Sequence, residues 1–135
     1  MGAGTVASLR DAVQRAWSAD TSNTADWTES NPAEGQCAVT ACVVQDHFGG
    51  DIVNTVATLP SGRAVSHYFN VIDGENVDFT FHQFPEGTSF SAPEHKTKGL
   101  PSTRAYCMSF QDTRDRYELL SSRVCQFIGK PASPA

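Results

Sequence analysis

The stretch Gly35-Gln36-Cys37-Ala38-Val39-Thr40-Ala41-Cys42-Val43-Val44-Gln45-Asp46-His47-Phe48-Gly49-Gly50, running into Asp51-Ile52-Val53-Asn54-Thr55-Val56-Ala57-Thr58-Leu59-Pro60, decides the fold. From Cys37 to Val44 the side chains are small or apolar without a break, and the Gly pair then stops the pattern. This predicts a helix over 36–47, buried on most of its sides. The β-branched pair Val43-Val44 leaves a strand as the alternative reading. After the glycines, Ile, Val and Thr dominate, so a strand is expected over 51–59, closed by Pro60.

Downstream, Ser61-Gly62 makes a turn, 63–72 reads as a second strand and Asp73-Gly74 is a strong hairpin signal. The returning strand is expected over 75–81. Residues 82–104, with Pro85, Gly87, Pro93, Gly99 and Pro101, read as loop with little regular structure. Tyr106-Cys107-Met108-Ser109-Phe110 suggests a last short strand. Tyr117, Leu120, Val124 and Phe127 recur at helical spacing, predicting a helix over 112–128 capped by Asp112, then a loose tail over 129–135. Upstream, Val6, Leu9, Val13 and Trp17 predict a helix over 5–19 capped by Thr5, and 21–35 reads as a long polar loop. The order helix, helix, meander, helix is that of an α+β domain, spanning 1–128.

The 135 residues suit one domain, and 39% hydrophobic with 19% charged residues fits a globular chain. The net charge of −5 argues against a nucleic-acid partner. No apolar run reaches the length of a membrane span. Met1 to Asp20 has no signal-like apolar block, and Val6 stands where a myristoylation motif wants Ser or Thr. A cytoplasmic setting with reduced thiols is the expectation.

Four cysteines and four histidines carry the candidate chemistry. Cys37 sits where a loop enters a helix, and the positive end of the helix dipole there favours a thiolate. Gly35 permits a tight turn in front of it, and unpaired amides at that end suit an oxyanion. Cys42, Cys107 and Cys125 read as packing residues. His67 lies on the strand before the Asp73-Gly74 turn. With a two-residue loop, Ile72 faces Glu75 and His67 faces Thr80, so Asp78 lies diagonal to His67 at ~7 Å on the same side of the sheet. A slip of one residue would send Asp78 to the other face. The hairpin therefore offers a base with an orienting carboxylate. His47 reads as a helix-end residue, and His82 and His95 as exposed. No Cys or His spacing matches a zinc site, and Gly49-Gly50 is no phosphate loop. No metal and no cofactor are expected.

The segments Asn31-Pro32-Ala33-Glu34-Gly35-Gln36-Cys37-Ala38-Val39-Thr40-Ala41, Gln45-Asp46, Gly49-Gly50, His67-Tyr68-Phe69-Asn70, Asp73-Gly74 and Asp78-Phe79-Thr80 resemble the YunG-like family over about Asn31 to Phe84. More broadly, the order Cys, His, Asp is similar to the papain-like superfamily, in particular its transglutaminase-like and NlpC/P60-like branches. That resemblance implies a nucleophile-bearing helix packed on a small antiparallel sheet. It makes Cys37 the nucleophile, His67 the general base and acid, and Asp78 the orienter. Transglutaminases share Gly-Gln-Cys but follow it with Trp, where Ala38 stands here. The papain oxyanion glutamine lies six residues before its cysteine, an offset that falls on Asn31.

The expected function is a cysteine-dependent hydrolase or acyltransferase. It would act on an amide or thioester of a small molecule or short peptide through a Cys37 thioester, with the Cys37 amide and Asn31 or Gln36 receiving the oxyanion. Tailoring of a specialised metabolite is one setting for that chemistry. The alternatives are a non-catalytic binding or regulatory module on the same fold, and a redox- or metal-linked thiol protein with Cys42 or Cys107 beside Cys37. Phe84, Phe90, Pro85 and Pro93 are candidate cleft residues.

Overall fold

A computed structural model of the protein describes residues 5–130; the expected tail beyond Lys130 lies outside the described residues. The elements in chain order are α1 (Val6–Ala16), α2 (Cys37–Phe48), β1 (Asp51–Thr58), β2 (Ala64–Ile72), β3 (Glu75–Val77), β4 (Ser89–Phe90), α3 (Thr103–Cys107) and α4 (Gln111–Ile128). Short 3-10 turns at Ala19–Thr21 and Phe81–Gln83 complete the list. The result is an α+β arrangement with a four-stranded antiparallel sheet in the order β3-β2-β1-β4.

α1 starts where Thr5 accepts from the Ser8 amide in a capping box, and buries Leu9, Ala12, Val13 and Ala16. It ends at Ala16, short of the expected 19, because Ser18 caps the separate 3-10 turn that follows. α2 is central. Its buried face comprises Cys37, Val39, Thr40, Ala41, Cys42, Val43 and Val44, so the unbroken apolar run marks a helix covered on most sides. Val39, Val43 and Val44 pack with α1 and α4 through Leu9, Val13, Leu120 and Val124. On the other side, Ala41 and Cys42 meet Ile52 of β1 and Cys107 of α3. Packing on both faces outweighs the strand preference of Val43-Val44.

Two side chains pin α2 to its neighbours. The Trp17 indole donates to Thr40 Oγ1 at 3.0 Å, and Asn70 of β2 donates through Nδ2 to the Ala41 carbonyl at 2.9 Å. Gly50, with φ of +76°, lets the chain turn into β1 directly over β2; a Cβ there would lie 2.3 Å from the Val71 carbonyl oxygen.

Further expectations are corrected. β3 stops at Val77 rather than 81. Asp78 Oδ1 accepts from the Thr80 amide at 3.1 Å and lies 3.3 Å from Thr80 Oγ1, and this local turn takes the chain out of the ladder. Residues 106–110 are not a strand. Ser102 caps α3, Cys107 enters the core beside Cys42, and α4 follows from Gln111. The segment 82–104 is more ordered than a plain loop. β4 pairs with Ala57 and Thr58, and Glu94 exchanges backbone bonds with Asn54. Asp112 lies in the first turn of α4, and Phe110 occupies the cap position.

Candidate active site

Cys37 is the first residue of α2, preceded by Gln36 at the N-cap. The first backbone bond of this helix runs from the Thr40 amide to the Gln36 carbonyl at 3.0 Å, so the Cys37 and Ala38 amides precede the helical ladder. The turn ahead of the thiol is held by a strap from 22–24. Ser22 Oγ donates to the Glu34 carbonyl at 2.8 Å, and the Asn23 amide donates to the Gly35 carbonyl at 3.0 Å. Gly35 is required here. Its φ is +75°, and a Cβ would fall 2.2 Å from Ser22 Oγ and 2.7 Å from Asn23 Oδ1.

His67 comes from β2, opposite Thr55 of β1. Its carbonyl accepts from Asn54 Nδ2 at 3.2 Å, which fixes the backbone behind the ring. The imidazole is 1% exposed, and its Nε2 lies 2.7 Å from Asp78 Oδ2. Asp78 is fixed in turn through Thr80. Phe84 stands edge-on to the imidazole at 4.9 Å between centroids, and Phe69 stacks at 6.0 Å, so the ring is walled by aromatic surface.

The other ring nitrogen, Nδ1, is buried and makes no aligned hydrogen bond among the described residues. Cys37 acts on the ring from close range without completing one. Burial on its own lowers the imidazole. Hydrogen-bonding interactions with Asp78 and Cys37, and the charges of both, outweigh burial and raise the ring from 6.5 to about 9. The ring is thereby made to hold its proton more tightly than a free imidazole does.

Three depressions surround this group. A cavity of about 430 Å³ lies over His67 and Asp78, walled by Phe69, Phe81, Phe90 and Pro93. A small cleft of about 90 Å³ opens beside Cys37 between Gly35, Arg63, Gln83 and Phe84. A groove of about 280 Å³ leaves Cys37 in another direction, past Ser66 and Tyr68 toward Lys96 and Tyr106. Asn23, Cys37 and Ser66 line both the cleft and the groove.

The structure brings Cys37, His67 and Asp78 together and engages the other two candidates elsewhere. Asn31 donates Nδ2 to the Gln83 carbonyl at 3.2 Å. Gln36 is fully buried, and its Nε2 donates to the Ser18 carbonyl at 3.0 Å. The groups the sequence reading missed are Asn23, Ser66 and Lys96, which border the Cys37 depressions. Asn23 and Lys96 stand in irregular segments without periodicity, and only the unusual length of the loops 21–35 and 82–104 hinted at a role. Phe84 lines the cleft beside Cys37, while Phe90 and Pro93 line the cavity at His67.

Burial pushes the Cys42 and Cys107 thiols up to about 12, which suits packing residues. Burial lowers His47 at the end of α2. His82 lies against Trp17 at 6.1 Å, and His95 is exposed. Among the described residues no group of three or more His, Cys, Asp or Glu side chains is arranged to hold a metal ion, and no helix is long and apolar enough to cross a membrane.

The family described as YunG protein matches residues 5–129. A relative from Bacillus subtilis (strain 168), described as uncharacterized protein YunG, is 43% identical over 103 residues, covering 76% of each chain. No solved structure matches this chain.

Proposed function

The chain belongs to the YunG family, and we propose that it is a cysteine-dependent hydrolase or acyltransferase acting on an amide or thioester of a small molecule or short peptide. One observation carries this reading: a buried imidazole joined to Asp78 through Nε2 and acted on by Cys37, the first residue of a helix. The central helix on an antiparallel sheet also supports kinship with the papain-like superfamily, with the histidine and acid supplied by one hairpin.

In this mechanism Cys37 Sγ attacks the substrate carbonyl carbon as a thiolate, its proton held by His67. The carbonyl π pair moves onto oxygen, received by the Cys37 amide ahead of the helical ladder. As the tetrahedral species collapses, the bond to the leaving amine or thiol breaks, and the imidazolium gives the leaving group its proton. His67 then takes a proton from water or an acceptor amine attacking the thioester carbonyl. Breakdown returns the thiolate and the protonated imidazole. Asp78 keeps the ring aligned and offsets its charge throughout. The engaged amides of Asn31 and Gln36 leave Asn23, on the rim of both depressions at Cys37, as the side-chain candidate for a second oxyanion donor.

Iodoacetamide labelling of each cysteine against pH, read by mass spectrometry, tests the pair. Cys37 should react fast below pH 7 and lose that reactivity in His67→Ala. Labelling at Cys37 with a midpoint near 8.5, that of an unperturbed thiol, would favour a non-catalytic binding module instead. With a substrate in hand, Cys37→Ala abolishes turnover.

A further inference from the structure

We propose that the groove between Cys37 and Lys96 binds an amino-acid-sized group with an apolar or aromatic body and a free carboxylate, such as the C-terminal residue of a short peptide or an N-acyl amino acid. This rests on the reading of Cys37 as the reacting group.

The groove holds about 280 Å³, at the low end of small-molecule sites and enough for one residue rather than an extended peptide. Its walls include Tyr68, Tyr106 and Phe110, and no Asp or Glu lines it. In a chain of net charge −5, its one formal cation is Lys96. Among the described residues Lys96 has no carboxylate within ion-pair distance. Its ammonium lies 5.9 Å from the Tyr68 ring centre and 5.5 Å from that of Tyr106, and donates to Ser66 Oγ at 3.3 Å.

Both ends of this lysine are held. Its amide donates to Thr103 Oγ1 at 3.0 Å, and the chain just before it is bridged to β1 through Glu94 and Asn54. The ammonium of this half-buried lysine, flanked by aromatic faces and short of an anion, is a carboxylate receptor. Ser66 borders both the groove and the Cys37 cleft, so an anion seated at Lys96 lies on the same rim as the thiol. Burial raises Tyr68, so its phenol stays neutral and does not compete as an anion.

The test separates this inference from the Cys37–His67 pair. Cys37→Ala protein, which supports no covalent step, is titrated with N-acetyl-L-tyrosine and with N-acetyl-L-tyrosinamide, following backbone amide shifts by NMR. The acid should bind about tenfold more tightly than the amide, with shifts at Tyr68, Lys96 and Tyr106. The preference should weaken with added salt. It should fall to within about twofold when Lys96→Met is added, and persist with Lys96→Arg. Equal binding of acid and amide, no binding of either, shifts mapping elsewhere, or a preference surviving Lys96→Met each overturns the proposal. The labelling comparison between wild type and His67→Ala reports on the pair alone, so either idea can fail without the other.

Discussion

At the scale of single residues, Asp78 does two jobs from its two oxygens. Oδ2 holds His67 Nε2, while Oδ1 accepts from the Thr80 amide. Replacing it with asparagine keeps the shape but removes the charge. Asp78→Asn should therefore move the His67 titration, followed by NMR at the ring carbon, down from about 9 toward 6.5. It should slow Cys37 labelling less than His67→Ala does, because orientation is impaired and the base remains. An unchanged titration would show that Asp78 does not set the ring. The pairing was legible beforehand because a two-residue Asp73-Gly74 turn fixes side-chain parity along the hairpin; both residues adopt positive φ, as that turn demands. The ladder ends at Val77, yet the local turn at Asp78 still carries its carboxylate to the imidazole.

At the scale of elements, α2 packs against α1, α3, α4, β1 and β2. Arg104 of α3 clamps it to α4. Its guanidinium donates to the Cys42 carbonyl and Gln45 Oε1, each at 3.0 Å, and pairs with Asp46 at 3.0 Å. It also reaches the Tyr117 hydroxyl at 3.3 Å, and Tyr117 donates to Asp46 in its turn. Arg104→Met should destabilise the fold by about 1–3 kcal/mol in urea denaturation, because two acceptors and part of a carboxylate lose their partner. Cys37 labelling below the midpoint should be unchanged, since the clamp grips α2 away from its first residue. A stability loss below about 0.5 kcal/mol would mean the clamp is solvent-compensated. This clamp was invisible beforehand because Arg104 falls in a segment that reads as loop and 106–110 reads locally as a strand. A five-residue helix has too few positions to show a period, and the contact of Cys107 with Cys42 decides its form.

At the scale of the whole molecule, the titrating core sets a pH direction. His67 binds its proton more tightly folded than unfolded. Its contribution is complete below about pH 6.5 and is lost as pH rises through about 9. Cys42 and Cys107, raised from 9.0 to about 12, extend the loss above pH 9. The Tm should fall between pH 6.5 and 9 and fall more steeply beyond, and Asp78→Asn should flatten the first part. A Tm that is level or rising from pH 6.5 to 9 contradicts the raised His67.

The sequence by itself determined the α+β class, the central helix, the hairpin and the convergence of His67 with Asp78, because periodicity and turn chemistry act over a few residues. Only the tertiary structure decided the rest. Gln36 is drawn inward to Ser18 and Asn31 outward to Gln83, and Asn23, Ser66 and Lys96 come to the rim at Cys37 from three separate segments. Those assignments depend on contacts between residues far apart in the chain, and local spacing carries no record of them.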